Sequence, residues 1–290
     1  MGLRAKFNAV MLVAFAVGLL LAGVLLNRQL QDDARKAVLQ EAAVNMGQAT
    51  AIFHYTDTEI APLLGDQLKV RFLPQTVPSW AAQTNFRTVQ QQFPDYSYHA
   101  PVLNPTNPAD HPTDWQADII EMFRQQATLT EFVSQRDTAN GPILSYSRPI
   151  KVTDQGCLAC HSTPAAAPAS MIDLYGSSNG FGWKLGETVG AEIVSVPEQV
   201  PLARARGALI TAMIELAGVF VVMIILLNIL LHFFIIVPLR RISTVANEVS
   251  LGNLDVPEVA LKGRDEIASL ADSFNRMRRS LANALKLLEQ

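Results

Sequence analysis

Two stretches of the chain, Ala9–Leu26 and Leu216–Val237, are almost purely apolar, whereas polar positions recur at regular spacing between and after them. Apolar runs of roughly 18 residues or more are long enough to cross a bilayer. After the first run no proline occurs until Pro62, and Leu30, Ala34, Ala37, Val44 and Ile52 fall close to one face. This spacing predicts a helix over Asn27–Leu64 that continues the first apolar run outward. From Pro74 the texture changes, and Pro78, Pro94, Pro101, Pro105, Pro108 and Pro112 predict short irregular pieces. Trp115–Gln126 predicts a helix with Ile119, Ile120 and Phe123 as its buried stripe. Ile143–Val152 and Thr188–Val196 predict strands, the second following the turn-rich run Tyr175–Trp183. Helix, irregular linker and then strands indicates an α+β domain with a small antiparallel sheet.

Beyond Val237 the period changes again. Leu239, Ile242, Ala246 and Val249 form a 3-4-3 stripe. A connector with Gly252, Leu254 and Pro257 follows, and Asp265-Glu266-Ile267 opens a second stripe of Ile267, Leu270, Phe274, Met277, Leu281, Ala284 and Leu288. Such heptad helices bury their stripes only against other helices, a need met by a parallel dimer forming an all-α four-helix coiled coil. The expected organisation is therefore a tail (1–8), a first membrane helix (9–26), an inter-span domain (27–207), a second membrane helix with its lead-in (208–237) and an all-helical C-terminal domain (238–290).

Composition narrows the class. Of 290 residues 49% are hydrophobic and 17% charged, with a mean hydropathy of +0.19, too little charge for an ordinary soluble domain. A net charge of −3 and a pI near 6.0 give no reason to expect nucleic acid as a partner. Arg4 and Lys6 would suit the basic region of a signal peptide, but the apolar run outlasts a signal core and no small-x-small cleavage site closes it. An uncleaved anchor is expected. Glu215 is expected to mark the outer end of the second span, and Asn228 to make a helix–helix contact.

The two cysteines belong to Cys157-Leu158-Ala159-Cys160-His161, a C-x-x-C-H sequence of the kind that attaches c-type haem. Two thiols three residues apart can each add to one vinyl group as a thioether, and the next histidine can supply Nε2 to the iron. No parallel βαβ pattern suggests a thioredoxin-like pair, and no second Cys/His pair completes a zinc site. Covalent attachment of haem takes place outside the bacterial cytoplasm. The inter-span domain is therefore expected in the periplasm, both termini in the cytoplasm and the two spans in the bacterial inner membrane. For the sixth iron position the candidates are His54, His99, His111, Met46 and Tyr55. His54 is preferred, because it lies on the helix that leads back to the first span.

The sequences Phe72-Leu73-Pro74, Val77-Pro78, Phe93-Pro94-Asp95-Tyr96, Asn104-Pro105-Thr106-Asn107-Pro108 and Trp115, followed by Cys157–His161, Tyr175-Gly176, Gly180–Trp183 and Val189–Ala191, resemble a family of PAS-like c-type haem domains. These occur in bacterial membrane sensors and in small cyanobacterial cytochromes, and the resemblance covers roughly residues 34–197. It implies a PAS-like sheet holding one haem c with His161 as proximal ligand. Some soluble members carry a distal cysteine on the first helix, where this chain has His54 or Tyr55. The region after the second span, with Pro238, Asp265-Glu266-Ile267 and Phe274-Asn275-Arg276-Met277, resembles a HAMP signal-relay domain.

Together these readings lead to a membrane-bound, homodimeric haem sensor that detects redox state or a small gas and signals to a cytoplasmic partner. No enzymatic activity is expected, since no acid, base or nucleophile constellation accompanies the haem motif. Few residues follow the HAMP helices, so the effector is expected to be a separate kinase or receptor component, unless the chain is a fragment of a longer receptor. The rival reading is a membrane-anchored cytochrome for electron transfer, which would need no HAMP relay.

Overall fold

Residues 2–288 are described by a computed structural model. The helices are α1 (Leu3–Tyr55), α2 (Ala61–Leu63), α3 (Gly65–Val70), α4 (Pro78–Gln92), α5 (Asp114–Gln125), α6 (Gln155–His161), α7 (Ala169–Tyr175), α8 (Gln199–Leu230), α9 (Val237–Ser250) and α10 (Glu266–Leu288). The strands are β1 (Ser97–His99), β2 (Phe132–Thr138), β3 (Gly141–Lys151) and β4 (Thr188–Pro197). Widened π-turns follow α1 at Thr56–Ile60 and α8 at Leu231–Ile236. Two compact units result, one of Asn27–Ala208 and one of Met1–Leu26 with Leu209–Gln290.

In the first unit the strands form one antiparallel sheet in the order β1-β4-β3-β2, an α+β arrangement. Because side chains alternate across a strand, β4 divides its apolar residues between two layers. Val194 and Val196 join Leu144, Tyr146 and Tyr98 on one face, against Val38, Ala42, Met46 and Ala49 of α1 and Ala82 and Phe86 of α4. Ala191 and Ile193 join Phe132 on the other face, under Ile119, Ile120 and Phe123 of α5. Tyr96 ties α1 to the domain by donating its hydroxyl to Glu41 at 2.7 Å. Burial and that carboxylate push the phenol up to about 12.

Helix α5 and strands β3 and β4 occupy the segments that periodicity indicates. Several elements do not follow from the sequence pattern, among them α4, β2 and α7. The segment after Pro74 is not uniformly irregular, because Pro78 starts the 15-residue helix α4. Proline at the first helical turn lacks only an N–H that would have no partner there, so it initiates this helix. Strand β2 carries Ser134 and Arg136 on the same face as Phe132 and so lacks an apolar alternation. Helix α7 is a single short element that ends where the turn-rich run begins.

Two helical stretches, Leu3–Leu63 and Gln199–Ser250, have the length and composition needed to cross a membrane, and their apolar parts belong to the second unit. Phe15 stacks on Phe220 at 4.6 Å, and Asn228 donates to Asn8 Oδ1 at 2.9 Å, which is the helix–helix contact expected of it. Glu215 is exposed. After the second π-turn, Ile242 and Val249 of α9 pack with Val259, Ala271 and Phe274. Asn275 grips the connector through both ends of its amide, donating to Val259 O at 3.0 Å and accepting from Val259 N at 3.1 Å. Arg278 donates to Val256 O and pairs with Glu258. Only part of the second stripe is covered within one chain, for Leu270, Met277 and Leu281 remain 44–59% exposed. The side chain of Leu288 lies outside the described residues.

Candidate functional site

The seven-residue helix α6 begins where Asp154 accepts a hydrogen bond from Gly156 N at 2.6 Å, an N-cap that fixes the first turn. Residues three and four apart share a helical face, so Cys157, Cys160 and His161 stand together on α6. All three are half-buried, and neither thiol is in a disulfide. Burial, with the neighbouring Cys157, pushes the Cys160 thiol up. The described residues contain no cluster of three His, Cys, Asp or Glu side chains suited to a metal ion held by protein ligands alone.

His161 is positioned from three sides. Its Nδ1 lies 2.7 Å from Gly180 O and 3.4 Å from Thr106 Oγ1, and Trp183 stacks flat against the ring at 3.9 Å and 11°. A carbonyl can only accept, so Nδ1 carries the proton and Nε2 keeps its lone pair, the form required of an iron ligand. Burial pulls the imidazole pKa down, opposed by the Gly180 hydrogen bond. The loop is held by its backbone as well, through Gly182 N to Ser162 O at 3.0 Å and Trp183 N to His161 O at 3.2 Å. Gly180 has φ +85°, and a Cβ there would overlap Thr106 Oγ1 and stand 2.9 Å from Thr106 Cα. Glycine is required both by the left-handed backbone and by the close approach.

Other quoted motifs are packed elsewhere in the domain. Phe72 N donates to Ser170 Oγ at 2.6 Å, and the Phe72 ring meets Tyr175 edge-on at 6.2 Å, joining the segment before α4 to α7. At Gly190 an added Cβ would overlap the Pro101 carbonyl oxygen, which accepts from Ala191 N at 3.1 Å. Of the quoted sequence elements, Thr106, Gly180 and Trp183 thus meet the end of α6, Gly190 meets Pro101, and Phe72 meets α7. Thr106, Gly180 and Trp183 were not singled out as positioning groups by sequence reading, although all three lie inside quoted motifs.

The candidates for a second axial ligand are separated by the fold. Met46 is fully buried against the sheet, among Ala42, Ala49 and Val194. The ring of His99 is engaged at both nitrogens, with Gln116 Oε1 at 3.3 Å and Ala109 O at 3.2 Å. His111 is exposed and its Nδ1 lies 3.0 Å from Pro112 O. His54 and Tyr55 are exposed on the last turn of α1, immediately before the first π-turn. No hydrogen bond or ring contact joins His54 to His161 among the described residues.

Comparison with known proteins adds two family matches. Residues 28–197 match the Tll0287-like family, and residues 230–283 match the HAMP domain. No curated protein matches the chain. Among solved structures, the cyanobacterial haem protein Tll0287 aligns with 17% identity, covering 55% of this chain and 94% of that one, at a TM-score of 0.42.

Proposed function

The chain belongs to the Tll0287-like family through residues 28–197 and carries a HAMP domain at 230–283, and from this premise we propose that it is a haem-based membrane sensor. In this reading Cys157 and Cys160 hold one haem c through thioethers and His161 is its proximal ligand. The observation that supports it best is the state of His161, whose Nδ1 faces Gly180 O at 2.7 Å while Cys157 and Cys160 share its short helix. Two thiols and an imidazole with a free Nε2 fit haem c. When bound, haem supplies an iron that changes oxidation state or takes up a small gas. The protein groups do the rest: the Gly180 carbonyl fixes the imidazole tautomer, Thr106 lies beside the same nitrogen, Trp183 holds the ring plane, and α6 sets the spacing of the thiols.

The sensor domain lies in the periplasm in this proposal, with both termini in the cytoplasm and the two apolar helices in the inner membrane. The partly exposed stripe of α10, Leu270, Met277 and Leu281, supports a homodimer in which a second copy covers it. A cytoplasmic effector would read that bundle. The PAS-like character of the sheet and the absence of catalysis belong to the same proposal. Signalling requires that two haem states favour two dimer packings unequally, because a ligand without differential affinity shifts nothing.

Single cysteines introduced along Leu239, Ile242, Ala246 and Val249 are expected to cross-link in one pattern with oxidised haem and in another with reduced haem. The same pattern in both states would overturn signalling and leave a membrane-anchored electron-transfer cytochrome. Ferric and ferrous spectra with NO, CO and oxygen separate the two kinds of signal: gas sensing requires an open or displaceable sixth position. For that position His54 is proposed. His54→Ala is expected to change the low-spin ferric spectrum, and an unchanged spectrum removes it as a ligand.

A further inference from the structure

We propose that the α5 face of the sheet holds a second ligand site, for a small monocarboxylate, built on Arg136, Trp115 and a row of serines. The pairing registers place Ser97 opposite Ser195, Ser195 opposite Ser145, and Ser145 opposite Ser134, so one row of four serines crosses all four strands. These residues share the face of Ile193 and Phe132, the face covered by α5. Four small polar side chains thus stand in a layer that is otherwise apolar.

A second observation makes the row more than a packing choice. Three buried side-chain polar atoms have no hydrogen-bond partner among the described residues: Ser134 Oγ, Ser147 Oγ and Arg136 Nε. All three belong to this face of β2 and β3, with Ser147 two residues from Ser145 and Arg136 two residues from Ser134. Ser147 is 0% exposed. Buried polar atoms ordinarily find partners. Ser134 stands between the other two, next to Arg136 along β2 and diagonal to Ser147 across the pairing with β3, so one ligand carboxylate lying over Ser134 would partner all three. Ser145 and Ser195, 3.2 Å apart at Oγ, supply further hydroxyls beside them.

The chemistry of the groups selects the ligand. Arg136 lies over the Trp115 ring at 3.6 Å and takes part in no ion pair among the described residues. A guanidinium fork and hydroxyl donors match a carboxylate. One cation balances one negative charge, which favours a monocarboxylate over a phosphate dianion. The N-terminus of α5 adds no anion site, since Thr113 and Gln116 already close a capping box there. The indole of Trp115 offers an apolar wall for a short alkyl chain. Ser195 lies on β4, four residues before α8 begins, so an occupant would touch the strand that leads to the second span.

The test is equilibrium dialysis of radiolabelled propionate against the full chain in lipid nanodiscs at fixed ionic strength, a readout that does not depend on haem. One saturable site per chain is expected. Arg136→Gln should weaken binding about tenfold or more, the scale of a lost charge-assisted hydrogen bond. Ser147→Ala should weaken it severalfold with thermal unfolding unchanged, and this variant decides the matter if Arg136→Gln does not fold. Unlabelled propionate should displace the label where equal chloride or phosphate does not. Absence of saturation, undiminished binding in both variants, or displacement by phosphate as readily as by propionate would overturn the proposal.

Discussion

With serine in place of both Cys157 and Cys160, no haem is expected to survive denaturing electrophoresis, whereas the wild-type chain keeps a band with haem peroxidase activity. The effect is all-or-none because the two thioethers proposed here are the covalent links, and the chain has no other cysteine. Either single replacement should leave one link, with reduced yield and a shifted ferrous α-band. His161→Ala should separate attachment from ligation, keeping the covalent band while losing the native low-spin spectrum. Haem retained through denaturation in the double variant would defeat the covalent reading. The placement of all three residues on one capped helix supports this order of effects.

Gly180→Ala is expected to damage the sensor domain strongly. Its backbone sits at φ +85°, where an L-residue costs about 1–2 kcal/mol. The new methyl would also overlap Thr106, an overpacking cost of about 1–3 kcal/mol. A total near 2–5 kcal/mol should lower the midpoint of chemical unfolding, and haem loading should fall as His161 loses its carbonyl partner. Gly182→Ala is the control. It has nearly the same backbone, φ +82°, but nothing lies within 4 Å of the added carbon, so only the conformational cost of about 1–2 kcal/mol remains. Thr106→Ala should recover part of the Gly180→Ala loss and not all of it, because Thr106 Cα still stands at 2.9 Å. Equal damage from the two glycine variants would show that the contact with Thr106 is immaterial.

What was legible in the sequence was whatever is encoded locally. The spacing of Cys157, Cys160 and His161 is set by one helical turn, and the stripe of α9 is set by its period, so both are visible without a fold. Helix α4 was hidden because Pro78 reads as a breaker until its position at the first turn is known. Strand β2 was hidden because its inward positions include Ser134 and Arg136, which erase the apolar alternation. The supports of His161 come from residues 55 and 19 positions away, and only the packed loop shows that Thr106 and Gly180 meet there. Similarly, Asn275 resembles an ordinary helix-surface residue until the connector is laid against it.

The two-sided burial of β4 limits the kind of movement the sensor domain can deliver. The strand is paired along both edges, with β1 and β3, and nearly every residue from Thr188 to Val196 is buried. Sliding it by one residue would carry Val194 and Val196 onto the α5 side and Ile193 onto the α1 side, exchanging two finished layers at once. Piston motion of the strand through its sheet is therefore closed off. An event at the sheet can then reach Gln199 only as a movement of the whole layer, handed on at the start of α8.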